Sequence, residues 1–217
     1  FLPYTPFKFN LPERVSEEKR KEMKDALGIG LRKVIVLGSP DEEEFVVFMQ
    51  SYNSLYGKLP HAECPLLIVG CRQRREKGNE LKLLGSLSGQ SIAIRSDANA
   101  PLPDVKNNNV LILNTIGELL NMYSLADVAV VGSDRNIFEP ASQQRAVLYF
   151  KGSWNNNVEA KEVLVKTGAA LVFSEENLKR LVDNPAERQR MGENGLEAVE
   201  SYREEVLSKA EEFALQI

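Results

Sequence analysis

The stretch "VLILNTIGELLNMYSLADVAVVG", residues 110–132, decides the fold of this chain. Two short and mainly apolar runs, 110–114 and 127–132, enclose the segment 115–126, which carries apolar residues at helical spacing. Apolar runs of strand length without alternation are typical of parallel strands that are covered on both faces. Because parallel strands are joined by a crossover, the stretch predicts a strand, a helix and a second, parallel strand.

The same alternation continues in both directions along the chain. Further strands are predicted at 33–39, 65–70, 91–96, 146–150 and 170–174. Further helices are predicted at 16–30, 41–57, 75–88, 139–145 and 156–168, with a helical tail from about residue 175. Strands that alternate with helices of this size form a doubly wound parallel sheet. We therefore expect one Rossmann-like α/β domain over 13–217, preceded by an extended linker at 1–12.

The composition of the 217 residues limits the classes of function. With 43% hydrophobic residues, the chain can bury a substantial core without disulfides. A net charge of −4 and a pI near 5.3 leave no basic surplus for a phosphate backbone, so we expect no nucleic-acid partner. The two cysteines and the single histidine lack zinc-ligand spacing, so we predict no metal.

Two features of the sequence concern its cellular context. No apolar run approaches the roughly 18 to 20 residues that a membrane-spanning helix needs, so we expect the chain as given to be soluble. The chain begins with Phe1 rather than Met, which indicates a processed or truncated product.

Polar stretches follow four of the predicted strands, at the edge where a doubly wound sheet binds its ligands. Ser39 follows the first strand and offers a hydroxyl, while the acids after it are equally typical of the first turn of a helix. Arg72 opens a basic cluster after the second strand, which is either a solvated helix start or an anion contact. After the fourth strand, Asn114 and Thr115 are candidate N-caps of the helix predicted there.

The remaining candidates lie in the first turns of two predicted helices. Amides around Gly117 and Glu118 can hold a phosphate or the edge of a base. The stretch "GSDRNIFEP", 132–140, puts Glu139 at a helix N-terminus that faces the same edge. A carboxylate there can accept two hydrogen bonds from the vicinal hydroxyls of a ribose. Pro140 is expected to begin the helix, because the N–H that proline lacks would have no intrahelical partner at that position. Acids are common in the first turn of any helix, so Glu139 followed by Pro140 is compatible with a ribose contact and equally with an ordinary helix start.

Read in order, "FKFNLP", "VIVLGSPDEEEF", "GELLNMYSLADVAVVG", "RNIFEPAS" and "NPAERQRMGENGLEAVE" resemble the C-terminal half of the 3-deoxy-D-manno-octulosonic acid (Kdo) transferases. The resemblance covers nearly the whole chain. Those enzymes are two-domain GT-B glycosyltransferases whose N-terminal half holds the lipid acceptor and the catalytic base, while the C-terminal half holds CMP-Kdo. The resemblance implies inverting, metal-independent transfer of Kdo to a lipid A-type acceptor. It implies no cofactor, with CMP-Kdo as the substrate.

The residues and the resemblance together predict a donor-binding set at this edge of the sheet. Its members are Ser39, Arg72, Thr115, Ile116, Gly117, Glu118, Arg135, Asn136 and Glu139. By the resemblance, Glu139 would bind the ribose, Asn136 would lie near the phosphate, and 115–117 would border the base.

Two departures from the family pattern fall on donor-binding positions. The family has a glycine-rich loop that ends in His-Asn before its Glu-Pro, whereas this chain has "GSDRN", with Arg135 where the histidine is expected. The family's Pro-Arg-His-Pro stretch is replaced by "GCRQRR", in which Arg72 is the counterpart of the arginine. Either the donor pocket binds its ligand through these changed residues, or the protein has lost its catalytic activity. Since the base belongs to the N-terminal half, no catalytic residue is assigned.

The leading interpretation is the donor-binding half of a Kdo-transferase-like enzyme. Its partners would be a nucleotide sugar, an N-terminal acceptor-binding domain and a membrane surface with its lipid acceptor. The location would be the cytoplasmic face of the inner membrane in a bacterium, or a mitochondrion or plastid in a plant. Two alternatives stay open: a non-catalytic scaffold module anchored by the aromatic residues of 1–12, and a GT-B transferase with another nucleotide donor.

Overall fold

The structure is a computed structural model that describes residues 13–70, 89–133, 137–152 and 158–214. In these ranges seven strands form one sheet: β1 (Val34–Gly38), β2 (Leu66–Gly70), β3 (Ile92–Arg95), β4 (Val110–Leu113), β5 (Val128–Val131), β6 (Ala146–Tyr149) and β7 (Ala170–Val172). Their order is β3-β4-β2-β1-β5-β6-β7, and every neighbouring pair is parallel. The seven strands predicted from the sequence are confirmed.

The described ranges contain seven helices between and after these strands. They are α1 (Glu17–Leu27), α2 (Glu42–Tyr56), α3 (Leu119–Tyr123), α4 (Phe138–Ser142), α5 (Val158–Lys166), α6 (Glu175–Asp183) and α7 (Pro185–Ala214). The start and stop signals of α1 are confirmed, since the hydroxyl of Ser16 accepts from the Lys19 N–H at 3.2 Å and Gly28 ends the helix with a φ of 64°. The helix predicted at 75–88 and the linker predicted at 1–12 lie outside the described residues.

Each face of the sheet has its own hydrophobic core. Along β1, Val34 and Val36 belong to the core that includes α1, α3, α4 and α5, while Ile35 and Leu37 belong to the core that includes α2 and α6. Successive side chains of a strand point to opposite faces, so a strand buried on both faces is apolar throughout. All five residues of β1 are buried. The predicted doubly wound α/β sheet is therefore confirmed.

The C-terminal helices pack on the body of the domain. Leu178 and Leu181 of α6 are fully buried in the core that includes α2. At the junction of α7 with α4, the ring centroids of Tyr202 and Phe138 are 5.2 Å apart. The helical prediction from about residue 175 is confirmed, and both helices contribute to the cores rather than standing apart from them.

Two glycines of α7 give a matched test of this packing. An alanine Cβ at Gly192 would lie 2.4 Å from the backbone oxygen of Gln144, whereas one at Gly195 would lie 3.4 Å from the Cβ of Ala141. We expect Gly192→Ala to lower the free energy of unfolding by about 1–3 kcal/mol, because the helix must move away from a backbone atom. Gly195→Ala should raise it by up to about 1 kcal/mol, because alanine favours the helical state.

Urea denaturation of the two single variants checks this prediction. Equal effects of the two substitutions would contradict the close approach of α7 to the residues that follow α4.

Candidate functional site

The candidate site lies at the edge of the sheet where the carboxyl ends of the strands meet, here called the carboxyl edge. The central strand β1 has β2 on one side and β5 on the other, so the direction of winding reverses between β1 and β5. Open α/β sheets bind ligands outside the carboxyl ends of the strands at such a switch point. Ser39 follows β1, the segment 114–118 follows β4, and Glu139 follows β5, so the structure brings these predicted residues to one edge.

Ser39 lies in an uncommon backbone conformation directly after β1. Its φ is 51°, in the left-handed region, and its N–H donates to the Gly70 carbonyl at 2.9 Å. Its own carbonyl lies close to the loop after β5, since a Cβ at Gly132 would be 2.6 Å from the Ser39 oxygen. Strained residues of this kind are concentrated at binding sites. The half-buried Ser39 therefore holds the turn at the switch point.

Glu44 joins the loop after β1 to the loop after β5. One carboxylate oxygen accepts from the Asp41 N–H at 2.9 Å, and Asp41 accepts from the Glu44 N–H at 2.8 Å, which forms a capping box at the start of α2. The other oxygen accepts from the Ser133 N–H at 2.8 Å. The prediction that these acids occupy a first turn is confirmed. The D-x-x-E spacing could also have indicated the capping box, but no local pattern indicates the bond to Ser133.

The structure corrects the predicted start of the helix after β4. The sequence predicted a helix over 115–126 with Asn114 or Thr115 as its N-cap, whereas α3 begins at Leu119. Gly117 has a φ of 88°, which helical residues do not adopt, and the Thr115 hydroxyl donates to the carboxylate of Glu118 instead of capping the helix. The segment 114–118 is therefore a loop at the carboxyl edge.

Glu118 is held by a buried arginine that the sequence analysis did not select. The Nε–H of Arg95 donates to both carboxylate oxygens of Glu118, with nitrogen–oxygen distances of 2.9 and 2.8 Å. The Arg95 side chain is 5% exposed. Burial on its own raises the pKa of Glu118, but the hydrogen bonds from Arg95 and Thr115 and the charge of Arg95 outweigh it and lower the pKa below its usual value. Glu118 is thus an ionised group that positions the loop, and its predicted contact with a donor stays a prediction.

Ile116 and Gly117 are the accessible part of this loop. Residue Ile116 is 81% exposed, and a Cβ at Gly117 would have no atom within 4 Å. An apolar side chain beside an open stretch of backbone suits the flat face of a base. The predicted role at the base is compatible with this geometry and stays a prediction.

Glu139 lies half-buried in the first turn of α4, and its charge acts on the buried Tyr123. Burial and then the negative charge of Glu139 raise the pKa of Tyr123, so its hydroxyl keeps its proton. Pro140 is buried and is the third residue of α4, which begins at Phe138 and ends at Ser142, so the prediction that Pro140 begins a helix over 139–145 is corrected. The structure confirms the place of Glu139, while its ribose contact stays a prediction. Arg72, Arg135 and Asn136 lie outside the described residues.

In the ranges that the structure describes, no three His, Cys, Asp or Glu side chains are grouped so that they could hold a metal ion. None of the helices in those ranges has the length and apolar character that a membrane crossing requires.

Two curated proteins are each 26% identical in sequence to this chain. One is a bifunctional glycosyltransferase/methyltransferase of Fusobacterium nucleatum, aligned over 205 residues, and the other is a probable 3-deoxy-D-manno-octulosonic acid transferase, mitochondrial, of Arabidopsis thaliana, aligned over 191. The alignments cover 89% and 84% of this chain but 29% and 41% of those proteins. The chain therefore spans less than half the length of these relatives. No family model matches it.

A solved structure supports the fold. The C-terminal CMP-Kdo binding domain of WaaA from Acinetobacter baumannii has a TM-score of 0.68 to this chain at 14% sequence identity, and the match covers 84% of this chain and 96% of that one. The chain has the α/β fold of the C-terminal domain of GT-B glycosyltransferases. Within that class it resembles the donor-binding domain of the Kdo transferases, as its motifs predicted.

Proposed function

We propose that this chain is the donor-binding half of a Kdo-transferase-like glycosyltransferase that takes CMP-Kdo as its donor. The observation that carries the proposal is the meeting of Ser39, the loop 114–118 and Glu139 at the carboxyl edge beside the switch point. The likeness to a CMP-Kdo binding domain supports the choice of donor. An N-terminal acceptor-binding domain would complete the enzyme and bring a lipid A-type acceptor at a membrane surface.

Three described residues of the site would have defined tasks in binding the nucleotide: Glu139, Ile116 and Gly117. The carboxylate of Glu139 would accept hydrogen bonds from the two ribose hydroxyls, which charge makes stronger than neutral ones. Tyr123, whose pKa is raised by burial and then by the charge of Glu139, keeps its proton and adds no second negative charge there. Ile116 and Gly117 would contact the base through an apolar side chain and open backbone. The negative charge that develops on the departing nucleotide would be stabilised by backbone amides and a cation at the edge.

Glu139→Ala is expected to weaken binding of CMP to the 217-residue chain about tenfold or more, because two hydrogen bonds to a charged acceptor are lost. Isothermal titration calorimetry with CMP measures this loss. The matched control is Glu176→Ala, which removes an exposed acid from the first turn of α6 and should leave the affinity unchanged. Binding of CMP that is indifferent to the Glu139 substitution would exclude the assigned ribose contact.

A thermal-shift panel of CMP, UDP and GDP tests the choice of nucleotide, since a ligand that binds only the folded state raises its melting temperature. Selective stabilisation by CMP is the expected result. Stabilisation by UDP or GDP instead would assign a different donor to the same fold. No response to any nucleotide would favour a scaffold module and would contradict the proposed function.

A further inference from the structure

A lysine outside the sequence motifs lies at the carboxyl edge of the sheet. Lys161 is the fourth residue of α5 and is half-buried where this helix leaves the carboxyl edge. Its ammonium donates to the backbone carbonyl of Ser133, the second residue after β5. The same ammonium lies 5.9 Å from the ring centroid of Tyr149, at the end of β6. These contacts fix its charge over the ends of two neighbouring strands.

Ser133, the residue after β5 that Lys161 contacts, is held from both sides. The N–H of Ser133 donates to Glu44 at 2.8 Å, while its carbonyl accepts from Lys161. A Cβ at Gly152 would lie 2.2 Å from the Cβ of Ser133, so Gly152, after β6, lies directly against Ser133, after β5. Lys161 is therefore placed by backbone geometry beside the switch point, rather than free to swing in solvent.

The ammonium of Lys161 has no acidic partner among the described residues, where none of the salt bridges includes it. By contrast, the exposed Lys166 on the same helix is paired with Glu162 at 3.3 Å. An ammonium has three donors, and one carbonyl uses only one of them. A half-buried cation with unused donors is stabilised when an anion joins it. A nucleotide phosphate at the carboxyl edge has the charge and the acceptors to do so.

We propose that Lys161 binds the phosphate of the nucleotide donor, in a site held by Ser133 and Tyr149. The proposal rests on the proposed function and extends it, because it names the cation that would stabilise charge on the departing nucleotide. Lysine binds phosphate as a point charge, so the contact should depend on charge more than on shape.

A comparison of CMP with cytidine tests the phosphate contact, because the two ligands differ only in that group. By calorimetry on the 217-residue chain, Lys161→Met should lower the affinity for CMP about tenfold or more and leave the affinity for cytidine unchanged. Lys161→Arg keeps the charge and should retain most of the CMP affinity. Lys166→Met removes the exposed lysine of the same helix and is expected to bind both ligands like the wild type.

The outcomes separate this proposal from the one on which it rests. Wild-type binding of CMP together with unchanged binding by Lys161→Met would overturn the role of Lys161 and leave the proposed function standing. An equal loss of CMP and cytidine in Lys161→Met would also overturn it, since the lysine would then shape the site as a whole. Failure of the wild type to bind either ligand would overturn both proposals.

Discussion

Replacing Gly38 by alanine is expected to lower the free energy of unfolding by about 3 kcal/mol or more. Gly38 is the last residue of β1, and an alanine Cβ there would lie 1.6 Å from the hydroxyl oxygen of Tyr123 and 3.3 Å from Cδ2 of Leu119. Tyr123 is only 1% exposed, so its ring cannot swing into solvent without opening the core. Denaturation in urea, followed by far-UV circular dichroism, measures the loss.

The same substitution should also weaken CMP binding, because it displaces Tyr123, on whose hydroxyl the charge of Glu139 acts. Gly195→Ala is the control for the glycine-to-alanine change itself, since an alanine Cβ there makes an ordinary contact at 3.4 Å. Adding Tyr123→Phe should rescue Gly38→Ala only in part, because the ring carbon Cζ would still lie 2.6 Å from the new Cβ. A loss of stability below about 1 kcal/mol would refute this close approach.

The fold could be predicted because its signal is local. β1, β2, β4 and β5 are buried at every residue, and a strand covered on both faces must be apolar throughout. The edge strand β3 is less buried than these four strands, since Ile94 is 50% exposed. Its β-branched residues still indicated a strand. The helix predicted over 115–126 was too long, because a positive φ at Gly117 and the ion pair of Glu118 override the helical spacing.

The sequence predicted the location of the site through one rule, the position of ligands at the carboxyl ends of parallel strands. The carboxyl ends of parallel strands meet at one edge, which was enough to select Ser39, the loop 114–118 and Glu139. The bonds that hold this edge in shape join distant parts of the chain. Glu44 and Ser133 are 89 residues apart, Arg95 and Glu118 are 23 apart, and Lys161 and Ser133 are 28 apart. No periodicity or motif of a single sequence indicates such pairs, so they had to be read from the structure.

Arg95→Met is expected to destabilise the fold by about 3–5 kcal/mol, because it leaves a partly buried carboxylate without its counterion. The Glu118 side chain is 16% exposed, and its two oxygens accept from Arg95. The other guanidinium nitrogens donate to three backbone carbonyls of the loop after β3, at distances of 2.9 to 3.0 Å; these belong to Ala98, Ala100 and Pro101. Methionine fills a similar volume but offers none of these donors.

The pH dependence of this loss identifies its cause. The pKa of Glu118 is lowered in the folded state, so its contribution to stability is complete above the unfolded value of about 4.3 and is lost as the pH falls through the lower folded value. In Arg95→Met the carboxylate of Glu118 is buried without a cation, and protonation removes the free-energy cost of that buried charge. The difference in stability between the wild type and this variant should therefore shrink on acidification: first above about pH 4.3, as the carboxyl of the variant takes up its proton, and then below it, as the wild-type contribution is lost.

Urea denaturation of both proteins across this pH range, in parallel with Arg180→Met, completes the test. Arg180 is 44% exposed and lies 3.5 Å from Glu187, so its replacement should cost under about 1 kcal/mol. A loss in Arg95→Met that stays constant with pH would assign the effect to the three carbonyls alone. A shrinking loss would show that the ion pair with Glu118 holds the loop 114–118 in place, and with it the open backbone at Gly117 where the base is expected to bind.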